Sequence, residues 1–247
     1  MASQPLEDRV ALVTGAGRRI GRVIALALAQ AGADVVVNYH RSRAGAIATG
    51  SEIEALGVRS AALRADVSKP RQVDAMFRIV EERFGRLDLL VNNAGVFFPR
   101  SLEELTEHDW DRILGINLKG PFFCAQAAAR LMRREGSGHI INISSLGGLR
   151  AWPGSMHYCS SKAALIMLTR CLAKALAPEI RVNSVAPGVI FFPDEKRDAN
   201  TRRLIEGTPL QSAGRPEDIA NAVLYLATSA SFITGQVIAV DGGKSIP

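Results

Sequence analysis

Tyr158 and Lys162 stand four residues apart in a helical pattern, which places both side chains on one helix face. An ammonium beside a phenol favours phenolate and draws the tyrosine pKa down from about 10 towards the working pH. A tyrosine tuned in this way can give its proton to a carbonyl oxygen as hydride reaches the carbon. The plainer reading is a surface tyrosine lying over a lysine stem. Two further groups converge on the pair. Ser145, thirteen residues before Tyr158, closes a β-branched run and can donate a hydrogen bond to the same carbonyl oxygen. Asn117 sits inside the apolar segment Ile113-Leu114-Gly115-Ile116-Asn117-Leu118, where asparagine has poor helix propensity and needs a partner if buried. Holding an ordered water beside Lys162 would account for that cost. Singly, Ser145 could cap a turn and Asn117 could be a satisfied structural amide.

A second cluster could hold a nucleotide. Thr14-Gly15-Ala16-Gly17-Arg18-Arg19-Ile20-Gly21 joins a short strand pattern to a helix. Glycines there let the backbone approach a pyrophosphate, and the helix N-terminus offers N–H groups to it. The glycines are spaced one residue too widely for GxGxxG, so tight packing is the alternative. After the next strand the chain reads Asn38-Tyr39-His40-Arg41-Ser42, without the carboxylate that would accept from a ribose 2′-OH. Asp34 lies at the opening of that strand, the wrong end of the sheet. An arginine flanked by hydrogen-bonding side chains suits a 2′-phosphate, so NADPH/NADP+ is expected over NADH; the bland reading of Arg41 is a solvated surface residue. Asp66 and Asn92-Asn93-Ala94-Gly95 fall at the ends of later strand patterns, where ligands bind in open α/β sheets.

Short apolar runs alternate with longer helical patterns, and these are the elements that must position both clusters. Strands are expected at Val10–Val13, Asp34–Asn38, Val58–Leu63, Leu87–Val91, His139–Ile143, Ile180–Val185 and Gln236–Val240. Helices are expected at Arg19–Ala31, Arg43–Leu56, Pro70–Phe84, Asp109–Arg134, Ser155–Ala177 and Pro216–Thr228. This βα order implies an α/β Rossmann fold: one doubly wound, seven-stranded parallel sheet with helices on both faces, in a single domain spanning residues 1–247. The irregular stretch Gly188–Arg215, with Phe191, Phe192 and Pro193 followed by Asp194-Glu195-Lys196-Arg197-Asp198, reads as a lid with its own short helix.

The 247 residues, 47% hydrophobic and 22% charged, exclude a disordered chain. The start, Met1 to Asp8, has no signal-peptide order, and the apolar stretches are broken by charge before spanning length, so a cytoplasmic protein without a membrane segment is expected. Three cysteines without paired spacing and four histidines without HExxH indicate neither a disulfide framework nor a metal site. The net charge of +6 permits nucleic acid or a phosphorylated ligand as partner. Arg18 and Arg19 fall at the pyrophosphate turn, Arg41 at the ribose-phosphate end and Lys162 beside the tyrosine, where all can face one polyanionic cofactor, so no nucleic acid is expected.

In this set and order the residues resemble the short-chain dehydrogenase/reductase family over nearly the whole chain. The carriers are Thr14-Gly15 to Gly21, Asp66-Val67, Asn92-Asn93-Ala94-Gly95, Asn117, Ser145, Tyr158 with Lys162, Pro187-Gly188 and Asp241-Gly242-Gly243. The resemblance implies an NAD(P)-dependent oxidoreductase with Tyr158 as general acid/base and Lys162 serving the nicotinamide ribose and the tyrosine pKa. It assigns Ser145 to substrate polarisation and Asn117 to a proton-relay water. It implies cofactor contacts from Gly15, Gly17, Arg18, Arg19, Ile20 and Gly21, and from His40, Arg41, Ser42, Asp66 and Val67. Further contacts come from Asn93, Ala94 and Gly95, then from Pro187, Gly188 and Ile190. It also implies a homotetramer, paired through two long middle helices and the C-terminal segment.

Two branches of the family are in view. Arg19, His40-Arg41-Ser42 and an aromatic Phe97 able to sandwich a flat pterin resemble pteridine reductases. Ser145, where those enzymes carry aspartate, and Gly95, where they carry serine, suit an ordinary carbonyl. Reduction of a ketone, diketone or 3-oxoacyl carbonyl is therefore expected, with dihydropterin reduction the alternative and a non-catalytic NADP(H) sensor a distant one. Substrate contacts are expected from Phe97, Ser145, His157, Phe191 and Phe192, with Phe98 and Trp152 as further walls.

Overall fold

The central apolar runs pair as parallel strands because they carry buried side chains on both faces. In β1 (Val10–Val13), Val10 and Leu12 enter one apolar layer while Ala11 and Val13 enter the other. In β2 (Asp34–Tyr39), Val36 and the Val35 and Val37 pair divide in the same way. Strands of this kind leave water only when helices cover both sides, the condition for an all-parallel sheet.

The computed structural model describes residues 4–192 and 199–246. The remaining strands are β3 (Ser60–Arg64), β4 (Leu89–Asn92), β5 (Gly138–Ile143), β6 (Ile180–Pro187) and β7 (Val237–Val240). The seven form one sheet in the order β3-β2-β1-β4-β5-β6-β7. Every pairing is parallel, with Val10 opposite Asp34 and Ala11 opposite Leu89. The order reverses between β1 and β4, and a crevice opens at the carboxyl ends of the strands there.

Helices α1 (Arg19–Gln30) and α2 (Arg43–Ala55) cover one face together with the last helix, Pro216–Thr228, through Ile24, Leu28, Ile53, Ile219 and Val223. The other face is covered by α3 (Pro70–Phe84), which starts with Pro70 and ends at the left-handed Gly85, φ +76°.

The long helix expected at Asp109–Arg134 is three pieces. They are α4 (Glu107–Leu114), a π-helical turn at Gly115–Lys119, and α5 (Gly120–Arg134), which packs Cys124, Ala128 and Met132 against α3's side of the sheet. Asn117 lies in the π turn, a wider coil found mostly as single turns at functional sites. Helix α6 (Met156–Leu176) carries Tyr158 and Lys162. In the expected lid, α7 (Ala199–Glu206) forms, and α8 (Pro216–Thr228) follows it. Gly214 N–H donates to Val189 O and Phe191 N–H donates to Gly214 O, both at 2.9 Å, so the chain just after β6 is tied to the chain just before α8. Residues 193–198, with the charged run, lie outside the described residues. None of the described helices is long and apolar enough to cross a membrane.

Candidate active site

A cleft of about 2490 Å³ runs along the carboxyl edge of the sheet, walled by the turns that follow β1, β4, β5 and β6. Buried polar side chains hold those turns in register. Thr14 Oγ1 accepts the N–H groups of Asn93 and Ala94, both at 3.0 Å, while Asn93 Nδ2 donates to Thr14 O at 2.9 Å. Asn38 Oδ1 accepts Gly15 N–H at 3.2 Å, and its amide nitrogen reaches Leu63 O and Ala65 O. Farther along, Asn92 Nδ2 donates to Asn142 Oδ1 and Asn142 Nδ2 donates to Thr169 Oγ1, each at 2.9 Å, joining β4, β5 and α6.

The glycine-rich turn has the shape a dinucleotide needs. Gly15 takes φ +66°, and a Cβ at Gly21 would sit 2.6 Å from Gly15 O and clash with Asn93 Nδ2. Helix α1 opens with no side-chain cap on its N-terminal N–H groups, which leaves that end available to an anion. Arg19 also takes a left-handed conformation, φ +53°, and its guanidinium lies 4.6 Å over the ring of Phe192 from the turn after β6. Both residues line the cleft mouth.

His40, Arg41 and Ser42 line the same cleft beyond β2. Arg41 is exposed and makes no ion pair among the described residues. Asp34, at the opposite edge, is bound to Arg59 at 2.6 Å, which leaves no carboxylate on β2 facing the ribose position. Burial alone would raise the Asp66 pKa. Side-chain and backbone hydrogen bonds from Ser68, with His40 nearby, bring it below the usual carboxylate value, so Asp66 is an anionic acceptor on the cleft wall.

At the other end, Ser145 caps a single turn after β5, its Oγ accepting Gly147 N–H at 3.0 Å. Its hydrogen bond with Tyr158 lowers the phenol pKa, but burial raises it more, so the net shift is upward. This corrects the expectation of a tyrosine drawn down by Lys162. Lys162 is itself buried, lies 5.8 Å from the Tyr158 ring centroid, and directs Nζ to Ile143 O at 2.9 Å rather than to the phenol oxygen. Burial lowers its pKa to about 8. Asn117 is fully buried and fully used: Oδ1 accepts Val96 N–H at 2.9 Å, and Nδ2 donates to Val96 O at 3.0 Å and Ser161 Oγ at 3.2 Å. The polar residue that looked costly in the sequence clamps the turn after β4 against α6.

The cleft brings together Gly15, Arg18, Arg19, Ile20, Gly21, His40, Arg41, Ser42, Asp66 and Val67 with Asn93, Ala94 and Gly95. Pro187, Gly188, Ile190, Phe97, Ser145, Trp152, Tyr158, Lys162 and Phe192 complete that set. Five expected site residues are absent from its wall, the buried Asn117 among them. Gly17 is packed behind it, where a Cβ would come 2.5 Å from Ser42 Oγ, and so serves the approach of α2. His157 is turned inward against Phe98, ring centroids 5.0 Å apart, with neither ring nitrogen hydrogen-bonded among the described residues; burial keeps its pKa low and the ring neutral. Phe98 lies under the guanidinium groups of Arg100 and Arg112. Phe191 donates its N–H to Gly214 O, just before α8.

Sequence reasoning did not single out Ser161 or Lys244. Ser161, three residues after Tyr158, was detectable as a small polar residue on the buried face of α6. Lys244 lines the cleft and donates to Leu204 O on α7 and to Thr208 Oγ1, contacts with no local sequence signal.

The chain matches the family described as enoyl-(acyl carrier protein) reductase over residues 15–245. It is 42% identical to a 3-oxoacyl-[acyl-carrier-protein] reductase of Synechocystis over 241 residues, 96% of this chain and 97% of that protein. It is 46% identical to 3-oxoacyl-[acyl-carrier-protein] reductase FabG of Staphylococcus aureus over 237 residues, 94% and 96% of the two chains. Among solved structures, a putative short-chain alcohol dehydrogenase from Sinorhizobium meliloti superposes with TM-score 0.92 at 40% identity, covering 97% of each chain. A blue fluorescent protein from a metagenomic library, in complex with NADPH, superposes with TM-score 0.92 at 38% identity over 98% of this chain and 99% of the other.

Proposed function

The chain belongs to the short-chain dehydrogenase/reductase family, and from that membership we propose an NADPH-dependent reductase of ketone, diketone or 3-oxoacyl carbonyls. The observation that carries the reading is the meeting of Ser145, Tyr158 and Lys162 at the end of a cleft whose other end is the glycine-rich turn and Arg41. The relatives described as 3-oxoacyl reductases, and the NADPH complex of a similar structure, support it.

When bound, NADPH supplies the hydride. The residues suited to hold it are the α1 N-terminus for the pyrophosphate, Arg41 with Ser42 for the 2′-phosphate, and Asp66 with Val67 at the base. Ser145 Oγ donates a hydrogen bond to the carbonyl oxygen and fixes its position. Tyr158 gives its phenolic proton to that oxygen, and burial favours the reaction in this direction by keeping the phenol protonated at neutral pH. The Lys162 ammonium stands next in line to stabilise the phenolate left behind. Asn117 positions this group through Val96 and Ser161.

The segment 188–215 serves as the substrate lid, with Phe192 and Leu204 on the cleft side. Assembly as a homotetramer would cover Phe122 of α5, Met167 of α6 and the fully exposed Phe232. Dihydropterin reduction uses the same cofactor, but the hydroxyl of Ser145 fits a carbonyl oxygen better than a pterin nitrogen. The test is NADPH oxidation with a 3-oxoacyl thioester, a small diketone and dihydrobiopterin in parallel. Tyr158→Phe should lower turnover by roughly 10²- to 10⁴-fold with NADPH affinity kept; undiminished turnover in that variant overturns the role of Tyr158.

A further inference from the structure

Three aromatic rings meet around the proton donor. Phe97 stands edge-on to Tyr158, centroids 4.9 Å apart at 76°, and edge-on to Trp152 at 6.4 Å and 85°. Trp152 lies parallel to Tyr158, at 6.0 Å and 11°. All three line the cleft, so two parallel rings and a third at right angles form a corner around the Tyr158 ring.

The corner is built rather than incidental. Val96, the residue before Phe97, is held at both backbone groups by the buried Asn117 amide. The Phe97 loop is pinned to the Trp152 loop by Arg100 N–H donating to Gly154 O at 3.0 Å. Gly147 makes room for the other two rings, since a Cβ there would lie 3.0 Å from Trp152 Cζ3 and 3.2 Å from Tyr158 Cε1. Yet Phe97, fixed in this way, is 56% exposed and lines the cleft.

We propose that Phe97 and Trp152 select flat, conjugated carbonyl compounds, aryl ketones and aryl diketones, and that Phe97 is the specificity-determining residue against flexible aliphatic carbonyls. The inference rests on the carbonyl-reductase reading and names its substrate class. A planar π-system seated on a fixed ring gains the quadrupole contact of an aromatic pair and loses little rotational freedom. A saturated chain gains only area and gives up its rotamers. The aromatic contact amounts to roughly a two- to tenfold preference. In the reaction the hydride of NADPH forms the new C–H bond at the carbonyl carbon, the C=O π pair moves to oxygen, and Tyr158 supplies the proton that gives the alcohol and NADP+.

The test compares phenylpropanedione with hexanedione, its aliphatic counterpart, by calorimetric binding to the enzyme–NADP+ complex and by kcat/KM for NADPH oxidation. Phe97→Leu keeps an apolar wall without the ring and should lower the aryl-to-aliphatic ratio roughly two- to tenfold in both measurements. Phe97→Tyr keeps the ring and should restore the ratio. A ratio unmoved by Phe97→Leu, equal losses in the Leu and Tyr variants, or no binding of the aryl dione overturns the proposal. If the wild type oxidises NADPH with neither dione nor any 3-oxoacyl thioester, the carbonyl-reductase reading fails, while the binding ratio still decides the role of Phe97.

Discussion

Replacing Lys162 by methionine should make the protein more stable and nearly inactive. Lys162 is 5% exposed, and burial takes its pKa from 10.5 to about 8. At about 1.4 kcal/mol per unit, that shift corresponds to a cost of about 3 kcal/mol for keeping the charged form folded. Methionine fills a similar volume without charge, but it leaves Ile143 O without the lysine as donor, a loss of about 1 kcal/mol. The net expectation near neutrality is a gain of about 2 kcal/mol, a rise in Tm of about 4 to 8 °C for a chain of this size. The pH dependence fixes the cause. The folded pKa lies below the unfolded one, so at pH values under about 8 both states hold the proton and the cost is fully present. Between about 8 and 10.5 the unfolded state binds more protons, wild-type stability rises relative to the variant, and the advantage of methionine disappears. The assay is urea unfolding of both proteins without nucleotide, at equal concentration, from slightly acidic pH to 10.5. A variant no more stable than wild type near neutrality, or a difference that stays constant above pH 8, would refute the reasoning.

Three other outcomes are expected. Arg41→Ala should weaken NADPH binding about tenfold or more while leaving NADH within about twofold, measured by fluorescence titration; equal losses on both would remove the 2′-phosphate role. In wild type, kcat/KM for carbonyl reduction should fall as pH rises past about 8, where Lys162 loses its charge, and Lys162→Arg should move that limb upward. A thiol reagent near neutral pH should modify Cys171 first and Cys159 more slowly. Cys124, whose thiol burial pushes up to about 12, should react only after unfolding, and early reaction there would contradict its packing under α3.

The strand segments and the nucleotide turn were legible because they depend on local patterns, whereas the order of the strands in the sheet came from the tertiary structure. A run such as Val35-Val36-Val37 has to be covered on both faces, and Gly15 to Gly21 between a strand and a helix admits few backbone shapes. Helix boundaries at Pro70 and Pro216 follow from proline at the first helical turn. The break at Gly115–Lys119 was not legible, because the partners that make it favourable, Val96 and Ser161, lie 21 and 44 residues from Asn117. The misplacement of His157 has a local cause. Residues adjacent on a helix are about 100° apart, so the neighbour of Tyr158 had to face elsewhere.

From the amino-acid order alone came the residue types and spacings that chemistry requires: a tyrosine and lysine one helical turn apart, a serine and an asparagine upstream, and an arginine in place of a ribose-binding carboxylate. Those are set by helical and strand periods, which act over a few residues. Tertiary packing decided how the same residues are tuned. Burial raises the Tyr158 pKa and lowers that of Lys162 to about 8, so near neutrality the phenol keeps its proton and the lysine most of its charge; the surrounding packing, rather than the four-residue spacing, sets both. The aromatic corner has the same origin. Phe97 and Trp152 are 55 residues apart in the chain, and only the shared edge of the sheet puts both rings against the tyrosine.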